Sequence, residues 1–200
     1  MKATVPIRDP YDIQKLLSYF LEQRNYRNYA LATLCMYTAL RISDVLSLTW
    51  DDVYDFEGKR IRDSISLTEK KTKKPQSISL NHRIVTALKN YFNSDPTTPA
   101  PGVALILNKR TKLAISRIQA HRIISTAGKA CGISYPVSCH SLRKTFGYHA
   151  WKQGISAVVI MAIYNHSSLA VTQRYLGITQ DDKNEVYLSL DLDYTPSSVS

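Results

Sequence analysis

HSLRKTFGYHAWKQGISAVVIMAIYNHSSLAVTQRYLG, residues 140–177, is the stretch from which the rest of the chain is best understood. His140 and Arg143 open a helical pattern three positions apart, so both side chains can leave one face of the helix together. Gly154 breaks that pattern, and an apolar segment and a turn follow, which bring in His166. Ser167 or Ser168 is then placed to cap a last short helix carrying Tyr175. Two imidazoles, a guanidinium and a phenol thus lie on successive short elements that can fold back on one another. Arginine grips a phosphate through two oxygens, imidazoles exchange protons near neutral pH, and a phenol can act as a nucleophile. No acidic cluster lies in this stretch to hold a metal.

HSLR, with NHSS 26 residues after His140 and the tyrosine of QRYLG nine residues further on, resembles the second signature box of the tyrosine recombinase (phage integrase) family. ALRISDVLSLTWDDV at 39–53 is similar to the first box of that family. Each piece alone is weak, whereas the ordered set of Arg, Lys, His-x-x-Arg, His and Tyr is specific. The resemblance runs from about residue 10 to 190. It implies a DNA strand-breaking and rejoining enzyme that works without metal or other cofactor. It assigns catalytic places to Arg41, Lys71, His140, Arg143 and His166, with Tyr175 as nucleophile. It also implies double-stranded DNA as partner, a homotetramer in the synaptic complex, and DNA-bending accessory proteins. YNH stands where the family commonly has LGH, and LRK where LRH is frequent; neither touches the histidine or the arginine itself.

The bulk composition is compatible with this reading. Two hundred residues suffice for one domain with a substantial core. Hydrophobic residues make up 44% and charged residues 21%, an ordinary globular balance. The formal charge is +10, which favours a polyanion, nucleic acid first and an acidic membrane surface second. Cys35, Cys131 and Cys139 form no CxxC and no zinc spacing, which points to a reducing compartment. The first residues lack an apolar signal core and no run of 18 apolar residues occurs, so a cytoplasmic protein is expected.

Taken in order, residues 1–9 read as an arm, 10–190 as the catalytic domain and 191–200 as a flexible tail. Helices are expected at 10–23, at about 26–39 as the buried centre, at 82–93 behind Asn81, and at about 117–130 behind Ser116. Arg41 follows the central helix and Ser43 is placed to cap the next one. Taken alone, Arg41 is an ordinary cation at a helix end; its place in TALRISDVLSL brings the resemblance to bear. Between 53 and 80 the period changes to two in VYDF, RIRDSISL and QSISL, which predicts a three-stranded antiparallel sheet at one edge of a helical domain. The fold class is therefore α+β and mostly α-helical.

The turn EKKTKKP carries Lys70, Lys71, Lys73 and Lys74. The resemblance gives one of these lysines the role of protonating the leaving sugar oxygen. Lys71, in the KT pair, fits that position best, with Lys70 and Lys73 as alternatives. Lys70, Lys73, Lys74, Arg117, Arg122 and Lys144 are candidates for DNA contact. His149 reads as structural and the AVVIMAI segment as core. The chain reaches its catalytic pattern almost at once, so the DNA-clamping domain usual in the family is expected to be absent. Either this is a fragment, or it is a short recombinase similar to the fimbrial phase-switch invertases. The competing readings are a DNA-binding regulator that kept the fold and lost the reaction, and a type IB topoisomerase-like activity.

Overall fold

The computed structural model describes residues 4–190. The expected tail at 191–200 and the first three residues of the arm lie outside the described residues. The centre is α2 (Tyr26–Tyr37), buried continuously from Asn28 to Met36. Apolar or small side chains on nearly every side of this helix leave it no solvent face, so neighbours must surround it. Those neighbours are α1 (Pro10–Glu22), α5 (His82–Ser94) and α7 (Cys139–Lys152).

Local chemistry sets the helix starts. Asp9 accepts from the Tyr11 N–H at 2.8 Å with Pro10 directly behind it, a proline position where no backbone donor is lost. Asn81 accepts from Ile84 N–H at 3.0 Å and so starts α5. Ser116 and Gln119 form a reciprocal capping box on α6 (Arg117–Ala130), and Ser138 and Ser141 form another on α7.

Two short helices, α3 (Ile42–Val45) and α4 (Trp50–Val53), follow α2. Ser43 does not cap α3; the capping position is Arg41, whose side chain makes no capping bond. The chain leaves α2 through Ala39, whose φ of 56° lies in the left-handed region. The capping position therefore falls two residues before Ser43, and Ser43 lies inside the helix.

The predicted three-stranded sheet is instead two hairpins. β1 (Tyr54–Asp55) pairs with β2 (Arg60–Ile61), and β3 (Ser64–Thr68) pairs with β4 (Pro75–Ser79), both antiparallel. The run RIRDSISL, expected as one strand, breaks at Arg62–Asp63. Asp63 is a poor strand residue, and its carboxylate turns back to accept from Arg60 at 3.0 Å. A third hairpin joins β5 (Leu107–Asn108) and β6 (Leu113–Ala114).

The chain ends in α8 (Ala157–Ile163), α9 (Leu169–Leu176) and α10 (Gln180–Ser189). α8 is not core as its composition suggests. Only Ile160 is fully buried, while Val158 and Val159 are half exposed or more. A helix of two turns offers one face to α7 and α9, and an all-apolar sequence leaves the other face uncovered.

Residues 4–9 run extended across α7. Ile7 is fully buried, its N–H donates to Thr145 Oγ1 at 2.9 Å, and its carbonyl pairs with His149 Nε2 at 2.9 Å. His149 thus has the structural place expected of it. Arg8 donates to the carbonyl of Gly177, lies 3.6 Å from Asp182, and stacks its guanidinium on Tyr148. The arm thereby ties the end of α9 to the body. No helix among the described residues is long and apolar enough to cross a membrane.

Candidate active site

Arg41, Lys70, Lys71, Arg117, Cys139, His140, Arg143 and Tyr175 line one cavity of about 490 Å³. These residues come from the α2–α3 turn, the β3–β4 turn and the starts of α6 and α7, with Tyr175 from α9. His166 stands directly beside the cavity, its ring centroid 4.6 Å from that of Tyr175. The six residues singled out in the sequence therefore converge. The Tyr175 hydroxyl lies 3.2 Å from His140 Nδ1, with the rings edge-on at 81°.

Arg143 is 2% exposed and forms the floor of the site. Its guanidinium donates to the carbonyls of Ala39 and Tyr164 and lies 4.6 Å above the Tyr164 ring. The left-handed turn at Ala39 makes its carbonyl available. A guanidinium has five N–H donors, so only part of this capacity is taken up; the buried Nε has no partner among the described residues.

Tyr164 and Gly147 were not singled out in the sequence, yet they make the bed of this arginine. The Tyr164 hydroxyl donates to the Arg143 carbonyl at 2.6 Å and accepts from the Gly147 N–H at 2.8 Å. A Cβ on Gly147 would fall 2.5 Å from that hydroxyl. A glycine inside a helical pattern is the one sequence signal that could have revealed this close approach. Gly147→Ala should therefore displace Tyr164, cost about 1–3 kcal/mol of stability, and disturb Arg143. Urea denaturation checks the first effect. Tyr164→Phe, which removes the hydroxyl without a clash, should cost about 1–2 kcal/mol by the same assay.

His166 follows Asn165, whose φ of 51° turns the chain out of α8. Its Nδ1 pairs with the buried Thr172 Oγ1 at 3.0 Å, leaving Nε2 for another partner. Its ring stacks on Tyr164 at 4.9 Å. Arg41 is held by Glu69, with Nη1 to Oε2 at 2.7 Å. Lys70 and Lys71 are exposed at the cavity rim, and Lys73 and Lys74 are exposed further round the same turn. Arg117 lines the cavity, whereas Arg122 is exposed on α6 outside it. Lys144 turns inward: Nζ donates to the Thr4 carbonyl at 2.7 Å and lies 5.4 Å from the Tyr175 ring centroid.

The electrostatics are those of a cationic pocket. His140 is pulled down to about 4 by desolvation and by the charges of Lys144, Arg143 and Arg41. Because His140 keeps an open face to the cavity, the three charges are the firmer part of that cause. His166 is likewise lowered to about 4 by desolvation and then by Arg143 and Arg41. Burial holds the Tyr164 hydroxyl well above the ordinary phenol range.

Both imidazoles are therefore neutral near pH 7 in the folded protein, and both protonate near 6.5 when it unfolds. The unfolded chain binds more protons between those values, so stability rises with pH there. It should be complete above about pH 6.5 and lost as the pH falls through 4. Urea denaturation across this range checks it, and His140→Gln with His166→Gln should flatten the slope.

The profile of the phage integrase family matches residues 9–181. A probable integrase/recombinase of Bacillus subtilis, YoeC, is 37% identical over 187 residues, which are 94% of this chain and 97% of that relative. The crystal structure of XerA recombinase superposes with a TM-score of 0.77 at 22% identity, over 97% of this chain and 66% of that one. XerH recombinase in a post-cleavage complex with a palindromic difH substrate gives 0.72 at 18% identity, over 94% of this chain and 53% of that one. The chain thus spans nearly all of the Bacillus relative and between half and two thirds of these two solved recombinases. From the family profile and the near full-length relative, the chain belongs to the phage integrase family.

Proposed function

We propose that this protein is a site-specific DNA recombinase that cuts and rejoins strands through a covalent 3′-phosphotyrosyl intermediate. One observation carries the reading: the Tyr175 hydroxyl sits within hydrogen-bond reach of the His140 imidazole at a cavity lined by three guanidiniums, those of Arg41, Arg117 and Arg143.

With a DNA phosphodiester in the cavity, Arg143 and Arg41 would hold its non-bridging oxygens. They would neutralise charge that builds at the five-coordinate phosphorus. Arg143 has donors to spare for this, because Nη1 and Nη2 each give one N–H to a backbone carbonyl and keep a second. His166 would add a hydrogen bond through Nε2. His140 would accept the phenolic proton at Nδ1 as Tyr175 Oη forms its bond to phosphorus. The bond from phosphorus to the 5′-oxygen breaks, and Lys71, at the rim, would supply that oxygen with a proton. The products are a phosphotyrosyl ester on the 3′ side and a free 5′-hydroxyl. Because one ester replaces another, the hydroxyl of a second strand can reverse the step without an energy source.

Lys70, Lys73, Lys74 and Arg117 would contact the flanking backbone, where each cation adds affinity that weakens with salt. The palindromic substrate of XerH fits two copies per duplex, and we infer four subunits across two duplexes for exchange. DNA-bending accessory proteins and action at the nucleoid belong to the same proposal. A regulator without strand cleavage is disfavoured because every group the reaction needs lines or adjoins one cavity.

The test is incubation with a nicked suicide duplex carrying the recombination site, in EDTA. The expected product is a protein–DNA adduct that survives denaturant. A salt-sensitive complex with no adduct would show a binding protein instead.

A further inference from the structure

Arg41 and the β3–β4 turn are separate pieces of chain, and they meet at one buried carboxylate. Glu69 stands at the end of β3 and is 0% exposed. Its Oε2 takes Arg41 Nη1 at 2.7 Å and also accepts from the hydroxyl of Thr72, the residue after Lys71. Its backbone closes the turn: Glu69 N–H donates to the Lys74 carbonyl at 3.0 Å, and Lys73 N–H donates to the Glu69 carbonyl at 2.9 Å. Glu69 Oε1 and Asn165 Nδ2 are both buried and have no hydrogen-bond partner among the described residues. Burial alone would raise the carboxylate, but Thr72 and Arg41 together outweigh it and hold it below the ordinary range.

A buried charge is costly unless it is paired, and removing its partner is costlier still. That cost is also what makes such a group a rigid joint. Glu69 does not line the cavity and takes one N–H of Arg41, which does, so the guanidinium keeps further donors for a phosphate. Lys71, by contrast, is exposed on a turn with four lysines, and such a side chain needs a fixed backbone to deliver a proton to one atom. Thr72 gives the turn that anchor.

We propose that Glu69 is a positioning residue for strand cleavage. Its carboxylate joins Arg41 and the Lys71 turn in one arrangement, so that the phosphate clamp and the leaving-group acid act on the same phosphodiester. This rests on the reading of the cavity as a strand-cleavage centre.

The test is single-turnover cleavage at saturating protein, on two suicide duplexes. One carries a normal 5′-oxygen at the scissile bond; the other carries sulfur there, which departs as a thiolate and needs no proton. Glu69→Gln keeps the shape and removes the charge. It should lower the rate on the oxygen duplex about 10²-fold, leave duplex affinity unchanged, and lose clearly less on the sulfur duplex. Thr72→Val, which removes only the hydroxyl anchor from a half-buried site, should show the same pattern with a smaller loss. It decides the matter if Glu69→Gln does not fold. Wild-type rates in the folded variants, a faster rate, or an equal loss on both duplexes would overturn the proposal. Absence of any adduct with the unaltered protein would overturn the reading of the site instead.

Discussion

Tyr175→Phe is expected to abolish the covalent adduct while leaving the protein folded and able to bind DNA. The variant removes one oxygen and nothing else. Among the described residues that oxygen hydrogen-bonds only to His140, so its loss should cost about 1 kcal/mol or less of stability. The rings of His140, His166 and Tyr164 around Tyr175 keep their neighbour. Among the described residues no other phenol lines the cavity. Tyr164 is the nearest rival, its ring 5.2 Å from that of Tyr175. It is fully buried, and its hydroxyl is engaged both as donor to Arg143 and as acceptor from Gly147. Denaturing gels of the suicide reaction should therefore show no band of reduced mobility, while a native gel still shows the complex. An adduct that persists in this variant would remove Tyr175 from the nucleophile's place.

Arg143→Lys should reduce the cleavage rate by about 10²–10³-fold, the scale seen when one preorganised oxyanion donor is lost. An ammonium is a point charge and cannot reach two phosphate oxygens in the plane of a fork. The same change reaches into the fold. Arg143 satisfies two carbonyls, those of Ala39 and Tyr164, and its face is stacked on Tyr164. Lysine cannot bond both carbonyls and extend to a substrate, so a buried acceptor is left unpaired at a cost of about 1–3 kcal/mol. Single-turnover kinetics with a thermal melt separates the two effects. The rate should fall in a sample that remains folded at the assay temperature, and a neutral change in rate would remove Arg143 from the clamp.

How much of this was visible in the sequence depends on how local the signal was. The starts of α5 and α6 were readable from Asn81 and Ser116 because a cap acts over three residues, whereas the Ser138 cap of α7 emerged only in the structure. The central place of α2 followed from its lack of a polar face. The convergence of Arg41, His140, Arg143, His166 and Tyr175 was expected from the resemblance; spacing alone showed only that the groups were of the right type. What the sequence hid was set by contacts between distant segments. RIRDSISL alternates like one strand, and its break at Asp63 depends on where Arg60 points. AVVIMAI has the composition of core, yet the number of neighbours around α8 decides its burial. Glu69 looked like one charge in a polar turn, because nothing nearby in the chain shows that Arg41, 28 residues earlier, faces it. Tyr164 was one of thirteen tyrosines, and only Gly147 lying against it marks it out.

The most direct measurement is mass spectrometry of the proteolysed adduct from the suicide duplex. The account predicts a nucleotide remnant attached through its 3′-phosphate to the peptide that contains Tyr175. A remnant on any other residue, or one joined through a 5′-phosphate, would contradict it.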